Sequence, residues 1–371
     1  MRRGLRIAFF GSSLVSAWWN GAATYYRGLI RALHTRGHRV TFYEPYACER
    51  QAHRDLADPA WARVVVYSVQ DTDRLTDCLE EAWGSDVVVK ASGVGAFDAL
   101  LEAQVLELRR PGTQVVFWDV DAPATLERVA KDATDPFRAL IPRYDHILTS
   151  GGGAPVVNAY RELGAQRCVP IYNALDPATH HPVPPDARFE GDLSFLGNRQ
   201  PDREVRVEGF FLKAATLLPR ARMLLGGSGW EDRALPANVR RLGHVYTQDH
   251  NALNCSARAV LNIHRDSMAR FGFSPATRVF EAAGAGACLI TDAFEGVEQF
   301  LEPGREVLVA RSGEEVAEHV ERLTPKDAWR MGRAALRRVL AEHTYVHRAV
   351  QVEAELGFHT PSTAAMAPGR M

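Results

Sequence analysis

Unbroken apolar runs of a few residues recur along the chain, separated by longer segments whose apolar positions return every three or four residues. The short runs suit strands buried on both faces, and the longer pattern suits helices that cover them. In the first half this predicts strands at 5–10, 39–43, 64–66, 86–90, 114–118, 146–149 and 168–171, with helices at 24–35, 71–83 and 96–109. The polar, proline-dense stretch from Asp176 to Asp186 interrupts the pattern and reads as a linker. Beyond it the alternation restarts. Strands are expected at 193–196, 222–225, 239–242, 259–263 and 306–309, with one more running to Asp292. Helices are expected at 204–217, 248–254, 314–323, 326–342 and 346–356. Strands spaced by helices imply parallel βαβ units and a doubly wound α/β sheet.

The pattern divides the chain into an N-terminal Rossmann-like domain at 1–173, a linker at 174–190 and a second Rossmann-like domain at 191–342. A helix within 343–357 is expected to cross back to the first domain, and 360–371, small and polar, to be disordered. Ligands of such sheets sit at the carboxyl ends of the strands, so two facing sheets place the site in the cleft between them.

Composition narrows the function classes. The formal net charge of −1 gives no global field for nucleic acid or an acidic membrane. The five cysteines are scattered and lack CxxC spacing, which argues against a disulfide framework or a structural zinc and suits a reducing compartment. Met1-Arg2-Arg3 before an apolar run resembles a signal peptide, but Gly11-Ser12-Ser13 breaks that run early and no cleavage site follows. With no run of membrane-spanning length, the expected location is the cytoplasm.

The most informative stretch is 274–292. Ser274 reads as an N-cap and Pro275 as a first helical residue, followed by Ala276, Thr277 and Arg278. A helix start with free N–H groups and a nearby guanidinium suits a phosphate or diphosphate. Glu281, about two turns along, is placed to accept from a sugar hydroxyl. Further strand ends carry Gly197-Asn198-Arg199 with Arg203, then Gly226-Gly227-Ser228-Gly229-Trp230. Glycines let the backbone approach a ligand, and the arginines offer forked donors to diphosphate oxygens. His244, Tyr246 and Asn254 are candidates to bracket a nucleobase. In the first half, Gly21, Thr24, Tyr25 and Lys90 lie at strand or helix ends facing the expected cleft and are the candidate acceptor contacts. Asp119 and Asp121 are candidate catalytic carboxylates touching a sugar hydroxyl. A hard-cation site needs several converging oxygens, so no metal site is expected here. No GxGxxG follows the first strand in register, and neither a Gly-x-Ser-x-Gly elbow nor HExxH occurs. His180-His181, beside prolines, reads as surface.

Residues 278–292 and Glu302-Pro303-Gly304-Arg305-Glu306-Val307-Leu308 resemble the C-terminal half of CgeB/YkvP-type glycosyltransferase-like proteins, relatives of the group 1 (family 4-like) glycosyltransferases. Tyr172-Asn173-Ala174-Leu175-Asp176-Pro177 is similar to the entry into the interdomain segment, and Phe195-Leu196-Gly197-Asn198-Arg199 to a first phosphate loop. The resemblance spans roughly 192–310 and is looser in the first half. It implies a GT-B fold, transfer from a nucleotide sugar without a metal, and retention of anomeric configuration, with Glu281 holding the ribose. The nucleotide sugar is then a substrate, a UDP- or dTDP-linked donor being the guess, and no separate cofactor is implied. The acceptor is a small molecule, a glycan or a protein. One departure stands out: the superfamily's second glutamate, eight positions before Glu281, is Phe273 here. That departure keeps two other readings open, a nucleotide- or sugar-binding protein of a surface or spore-coat assembly without catalysis, and a sugar-nucleotide epimerase.

Overall fold

The computed structural model describes residues 3–358. The first sheet has seven strands, β1 (Arg6–Phe10), β2 (Arg39–Pro45), β3 (Arg63–Tyr67), β4 (Val87–Ala91), β5 (Gln114–Asp119), β6 (His146–Thr149) and β7 (Cys168–Pro170), in the order β3-β2-β1-β4-β5-β6-β7. The second has six, β8 (Gly191–Leu196), β9 (Met223–Gly226), β10 (Val239–Gly243), β11 (Ala257–Asn262), β12 (Leu289–Asp292) and β13 (Leu308–Ala310), in the order β10-β9-β8-β11-β12-β13. All pairings are parallel. Each sheet winds one way from its first strand and then the other, so the order reverses beside β1 and beside β8. Loops leaving neighbouring strands diverge at these points and open a crevice.

The period-two alternation of the strands explains the layering. Ala8 and Phe10 pack with Leu75, Leu101 and Val105 on one face of the first sheet. Ile7 and Phe9 pack with Tyr26, Leu29 and Trp118 on the other. That second face is completed from the far end of the chain, because Tyr345, Ala349 and Val352 of the helix Tyr345–Glu355 belong to the same cluster. Glu353 of this helix pairs with Arg36 at 2.6 Å and with His38 at 2.8 Å. Gly28 lets the two helices touch: a Cβ there would lie 2.1 Å from the Tyr345 ring. The preceding helix, Pro325–Glu342, packs on the second sheet through Met331, Ala335 and Val339. The chain therefore passes between the lobes twice, and the two passes lie side by side. The Leu175 amide donates to the His343 carbonyl at 2.8 Å, and the Tyr345 amide to the Leu175 carbonyl at 3.0 Å.

Some local expectations change. The stretch between β5 and β6 holds helices at Ala122–Lys131 and Pro136–Leu140, both opened by proline near the first turn. The helix expected at 96–109 is Asp98–Gln104, continued by a tighter turn at Val105–Leu108. His180 is not a surface residue; it is 1% exposed. The segment carrying it folds onto the helix Thr247–Ser256, where Asn251 donates to the Thr179 carbonyl at 2.9 Å and accepts from the His181 amide at 3.2 Å. The tail at 360–371 lies outside the described residues. Among those described, no helix is long and apolar enough to cross a membrane.

Candidate functional site

The helix expected to begin at Pro275 begins two residues later, at Thr277, and runs to Gly284. Ser274 is not its cap: the hydroxyl donates back to the Gly272 carbonyl at 2.9 Å. Ala276 takes the cap position with extended backbone and no side-chain oxygen to offer, so the first N–H groups are left for something else. Two cavities flank this helix start in the cleft between the lobes. The distal one, about 380 Å³, is lined by Gly197, Asn198, Arg203, His244, His250, Arg278 and Glu281, with Gly21, Thr24 and Asp55 facing them from the first lobe. The proximal one, about 360 Å³, is lined by Tyr25, Arg50, Ser92, Asp121, Arg265 and Ser274. Gly21, Gln200, Arg203, Ala276 and Thr277 line both, so the cavities meet at Arg203 and the helix start.

Among the described residues, Arg203 forms no ion pair. Its Nε is buried with no partner among the described residues. Gly197 makes room for it, since a Cβ there would lie 2.7 Å from the guanidinium Nη1. Burial, then the neighbouring Arg265, push its pKa down to about 10; Arg278 adds to this, and Asp292 and Asp202 offset it only in part. A guanidinium in that state gains from any anion that reaches it.

Glu281 is the opposite case. Burial alone would raise its pKa, but Arg278, then His180 and His250, outweigh burial and hold it at about 2. The Arg278 Nη1 lies 3.0 Å from one carboxylate oxygen, and the His180 Nε2 lies 4.0 Å from the other. Both histidines are pushed down chiefly by burial, His250 to about 3, so the rings are neutral beside a charged carboxylate. Among the described residues, His180 Nε2, His250 Nδ1 and Glu281 Oε2 are all buried without a hydrogen-bond partner. One ligand atom from each falls within 4.8 Å of the others, a spacing that can gather a metal ion. Arg278, however, already places a cation on this carboxylate.

The lobes are closed on each other around these cavities. Arg265 donates from Nη1 to Asp121 in the first lobe at 2.7 Å and from Nε to Asp202 in the second at 2.9 Å. The Gly152 amide donates to the Phe273 carbonyl at 2.8 Å, and the Asn173 side chain to the Pro275 carbonyl at 2.9 Å. Phe273 itself adopts a left-handed backbone, and its ring packs where any Cβ on Gly153 or Gly296 would collide.

Residues 199–354 match the family model described as glycosyl transferase-like. That stretch, a little over two fifths of the chain, is what resembles the family. A search of curated proteins returns no match. Solved structures share the fold over 94–95% of the chain. Sucrose-phosphate synthase from Thermosynechococcus elongatus superposes with a TM-score of 0.68 at 14% identity, covering 94% of this chain and 98% of that one. Anabaena HepE, solved with UDP and glucose, gives 0.68 at 14% identity over 95% and 99%. An α-glucosyltransferase solved with UDP-glucose and DNA gives 0.71 at 11% identity over 95% and 100%. The architecture is GT-B.

The two lobes distribute the sequence candidates unevenly. Gly197, Asn198, Arg203, His244, Thr277, Arg278 and Glu281 line the distal cavity, and Ser274 and Ala276 border the proximal one. His244 stands edge-on to Tyr246 at 4.5 Å, with Trp18 of the other lobe 5.8 Å away. Gly21 and Thr24 face the cleft, and Tyr25 borders it although its hydroxyl donates to the Ile171 carbonyl at 2.7 Å.

Several candidates are elsewhere. Arg199 turns away and pairs with Glu204 at 2.6 Å and Asp232 at 2.8 Å. Trp230 is a core side chain whose indole donates to the Gly197 carbonyl at 2.8 Å, and neither it nor Gly229 lines a cavity. Asn254 is buried off the cavity wall. Asp119 is fully buried: it accepts from Tyr160 and from the Asp121 amide at 3.0 Å, so it orders the start of the following helix instead of meeting substrate. Lys90 is also fully buried, paired with Asp98 at 2.6 Å. Of the carboxylates proposed for chemistry, Asp121 alone reaches the cleft. Arg50, His180, His250 and Arg265 were missed. Arg265 follows β11 closely, so strand-end position was a usable signal; Arg50 lies in an irregular loop and carried none.

Phe273 gives the closed state a specific test. Gly153 has a φ of +47°, and a Cβ there would sit 2.6 Å from the Phe273 Cβ, so Gly153→Ala forces the lobes apart. A misplacement near 1 Å is worth about 10²-fold in turnover. Donor turnover should fall to that degree while the far-UV spectrum is unchanged; wild-type turnover in this variant would mean that the contact has no bearing on the site.

Proposed function

We propose that the protein is a glycosyltransferase that takes a sugar from a nucleoside diphosphate, with UDP as the first choice of carrier, and passes it to an acceptor bound in the proximal cavity. The observation carrying this reading is the unpartnered Arg203 at the junction of the two cavities, beside an uncapped helix start and Arg278. Those groups fit a diphosphate. When the bond from the anomeric carbon to the diphosphate breaks, negative charge grows on the leaving phosphate, and fixed donors aimed there stabilise the transition state. In this reading Glu281 accepts from the ribose hydroxyls, and His244 with Tyr246 bounds the base. Asp121, held by Arg265, accepts from the acceptor hydroxyl and orients it. Closure of the lobes keeps water from the donor. UDP-containing complexes among proteins of this fold support the choice of carrier. Metal independence and retention of configuration are parts of the same proposal.

A thermal-shift panel of UDP, GDP, ADP and dTDP, each with and without EDTA, tests it. At 100 times Kd a ligand stabilises by about 2.7 kcal/mol, so at least one nucleotide should raise Tm by several degrees, unaffected by EDTA. Four flat responses would remove the reading.

A second reading rests on Phe273. The position that would bring a second glutamate to the donor sugar holds a phenyl ring packed between Gly153 and Gly296. Binding of a nucleotide sugar without transfer or hydrolysis would favour a non-catalytic binding protein, and release of an epimerised sugar without acceptor would favour an epimerase.

A further inference from the structure

The proximal cavity contains a second cation that the donor does not account for. Arg50 is 8% exposed, yet it lines this cavity and not the distal one. Its Nη1 donates to the Ser12 carbonyl at 3.1 Å and to the Val94 carbonyl at 3.0 Å, and its Nε is buried without a partner. No carboxylate is among its partners in the described residues. A guanidinium held this deep by two neutral carbonyls is short of negative charge.

The surroundings are built to keep it there. Cys48 and Glu49, the two residues before Arg50, both adopt left-handed backbone at φ +55°, a conformation that side-chain-bearing residues hold only where the rest of the structure enforces it. On the other side, Val94 belongs to a loop clamped by Asp98, which accepts from the Val94 amide at 3.0 Å, the Gly95 amide at 2.9 Å and the buried Lys90 ammonium at 2.6 Å. Gly95 adds clearance, since a Cβ there would lie 3.1 Å from the Arg50 Nη1. Lys90 thus supports the acceptor cavity from beneath, one step removed from its contents. Asp121 is the one carboxylate lining the cavity, and Arg265 already neutralises it. With Arg203 assigned to the donor diphosphate, Arg50 is left as an uncompensated positive charge on the acceptor side. The helix Ala23–Thr35 adds to it, starting at this cavity with no side-chain cap and no acidic residue in its first turn.

We infer that the acceptor is an anionic molecule, carrying a phosphate or carboxylate group that seats on Arg50. This inference rests on the glycosyltransferase reading for the word acceptor; the anion site itself stands on Arg50.

The experiment uses the full chain saturated with UDP. Inorganic phosphate and acetate are titrated separately at low salt by calorimetry, and the site is located by soaking crystals of the UDP complex. The expected result is one further site for at least one of the two anions, seen against Arg50, with affinity at least tenfold weaker in Arg50→Gln and recovered in part by Arg50→Lys. Whichever anion binds more tightly identifies the group on the acceptor. UDP binding is the fold control: Arg50→Gln and Arg50→Lys should both keep the wild-type response to UDP. Should Arg50→Gln lose that response, Arg50→Lys alone decides, by binding the anion or not. Absence of both anions from the UDP-loaded wild type, or undiminished binding in Arg50→Gln, overturns the inference. Failure of UDP to bind the wild type overturns the donor reading instead, and the anion titration then reports on Arg50 independently.

Discussion

Arg203→Met is expected to give a protein that melts at higher temperature than the wild type and no longer uses its donor. The two effects share one cause. The free protein holds a half-buried guanidinium at the cavity wall, beside Arg265 and Arg278, with its pKa pushed down to about 10 and its Nε buried and unpaired among the described residues. Replacing an uncompensated, half-buried charge by an apolar side chain of similar length removes part of a desolvation cost, and each kcal/mol recovered is worth about 2–4 °C in a lobe of 150–250 residues. The direction in pH agrees. A base whose folded pKa is depressed destabilises the folded state below that pKa, so at neutral pH Arg203 is a cost until an anion arrives. The same residue would stabilise charge on the leaving diphosphate. Loss of one such donor is worth about 10²–10³-fold in kcat, and the UDP-induced rise in Tm should shrink in parallel. Differential scanning calorimetry and donor turnover on one preparation check both halves. A variant that melts lower and still turns over would show that Arg203 is a structural cation.

Glu281→Gln is expected to lose on both counts, which separates it from Arg203→Met. Glu281 is 4% exposed and lies 3.0 Å from Arg278. Breaking a buried ion pair by removing one partner costs about 3–5 kcal/mol, because the other charge is left behind. A hydrogen bond to a charged group contributes about 1.5–3 kcal/mol, so UDP affinity should fall about 10–100-fold. The wild-type pH dependence follows from the carboxylate's depressed pKa. Its stabilising contribution is complete above the unfolded value of about 4.3 and fades as pH falls toward about 2. Acid unfolding followed by circular dichroism should therefore be steeper for wild type than for Glu281→Gln across that window. Parallel curves would mean that the pair contributes nothing to stability.

The strand pattern was legible because parallel strands covered on both faces must be apolar throughout, as β4 and β5 are. The helices between β5 and β6 were not, because at ten and five residues they are too short to show a sustained apolar period. Within the site, position along the strand separated the candidates better than residue type. Arg203 and Arg199 look equivalent in sequence, four residues apart after one strand. Only Arg203 comes from the first turn of the helix Pro201–Val207 and lines both cavities, while Arg199 is captured by Glu204 and Asp232. Asp119 and Asp121 illustrate the same point: β5 ends at Asp119, which is buried, while Asp121 takes the N-cap position of the next helix and reaches the cleft.

What the chain's pattern determined by itself was two doubly wound sheets, a proline-rich passage between them and a helix start with Arg278 and Glu281, because local periodicity and glycine placement are local physics. What the tertiary structure decided was which charges face each other. His180, a linker residue, became a buried neighbour of Glu281, and Arg50, in a loop without pattern, became a cation on the acceptor side. Such pairings join residues tens to a hundred positions apart, and whether a charge is compensated is settled only when every neighbour within a few ångströms is in place.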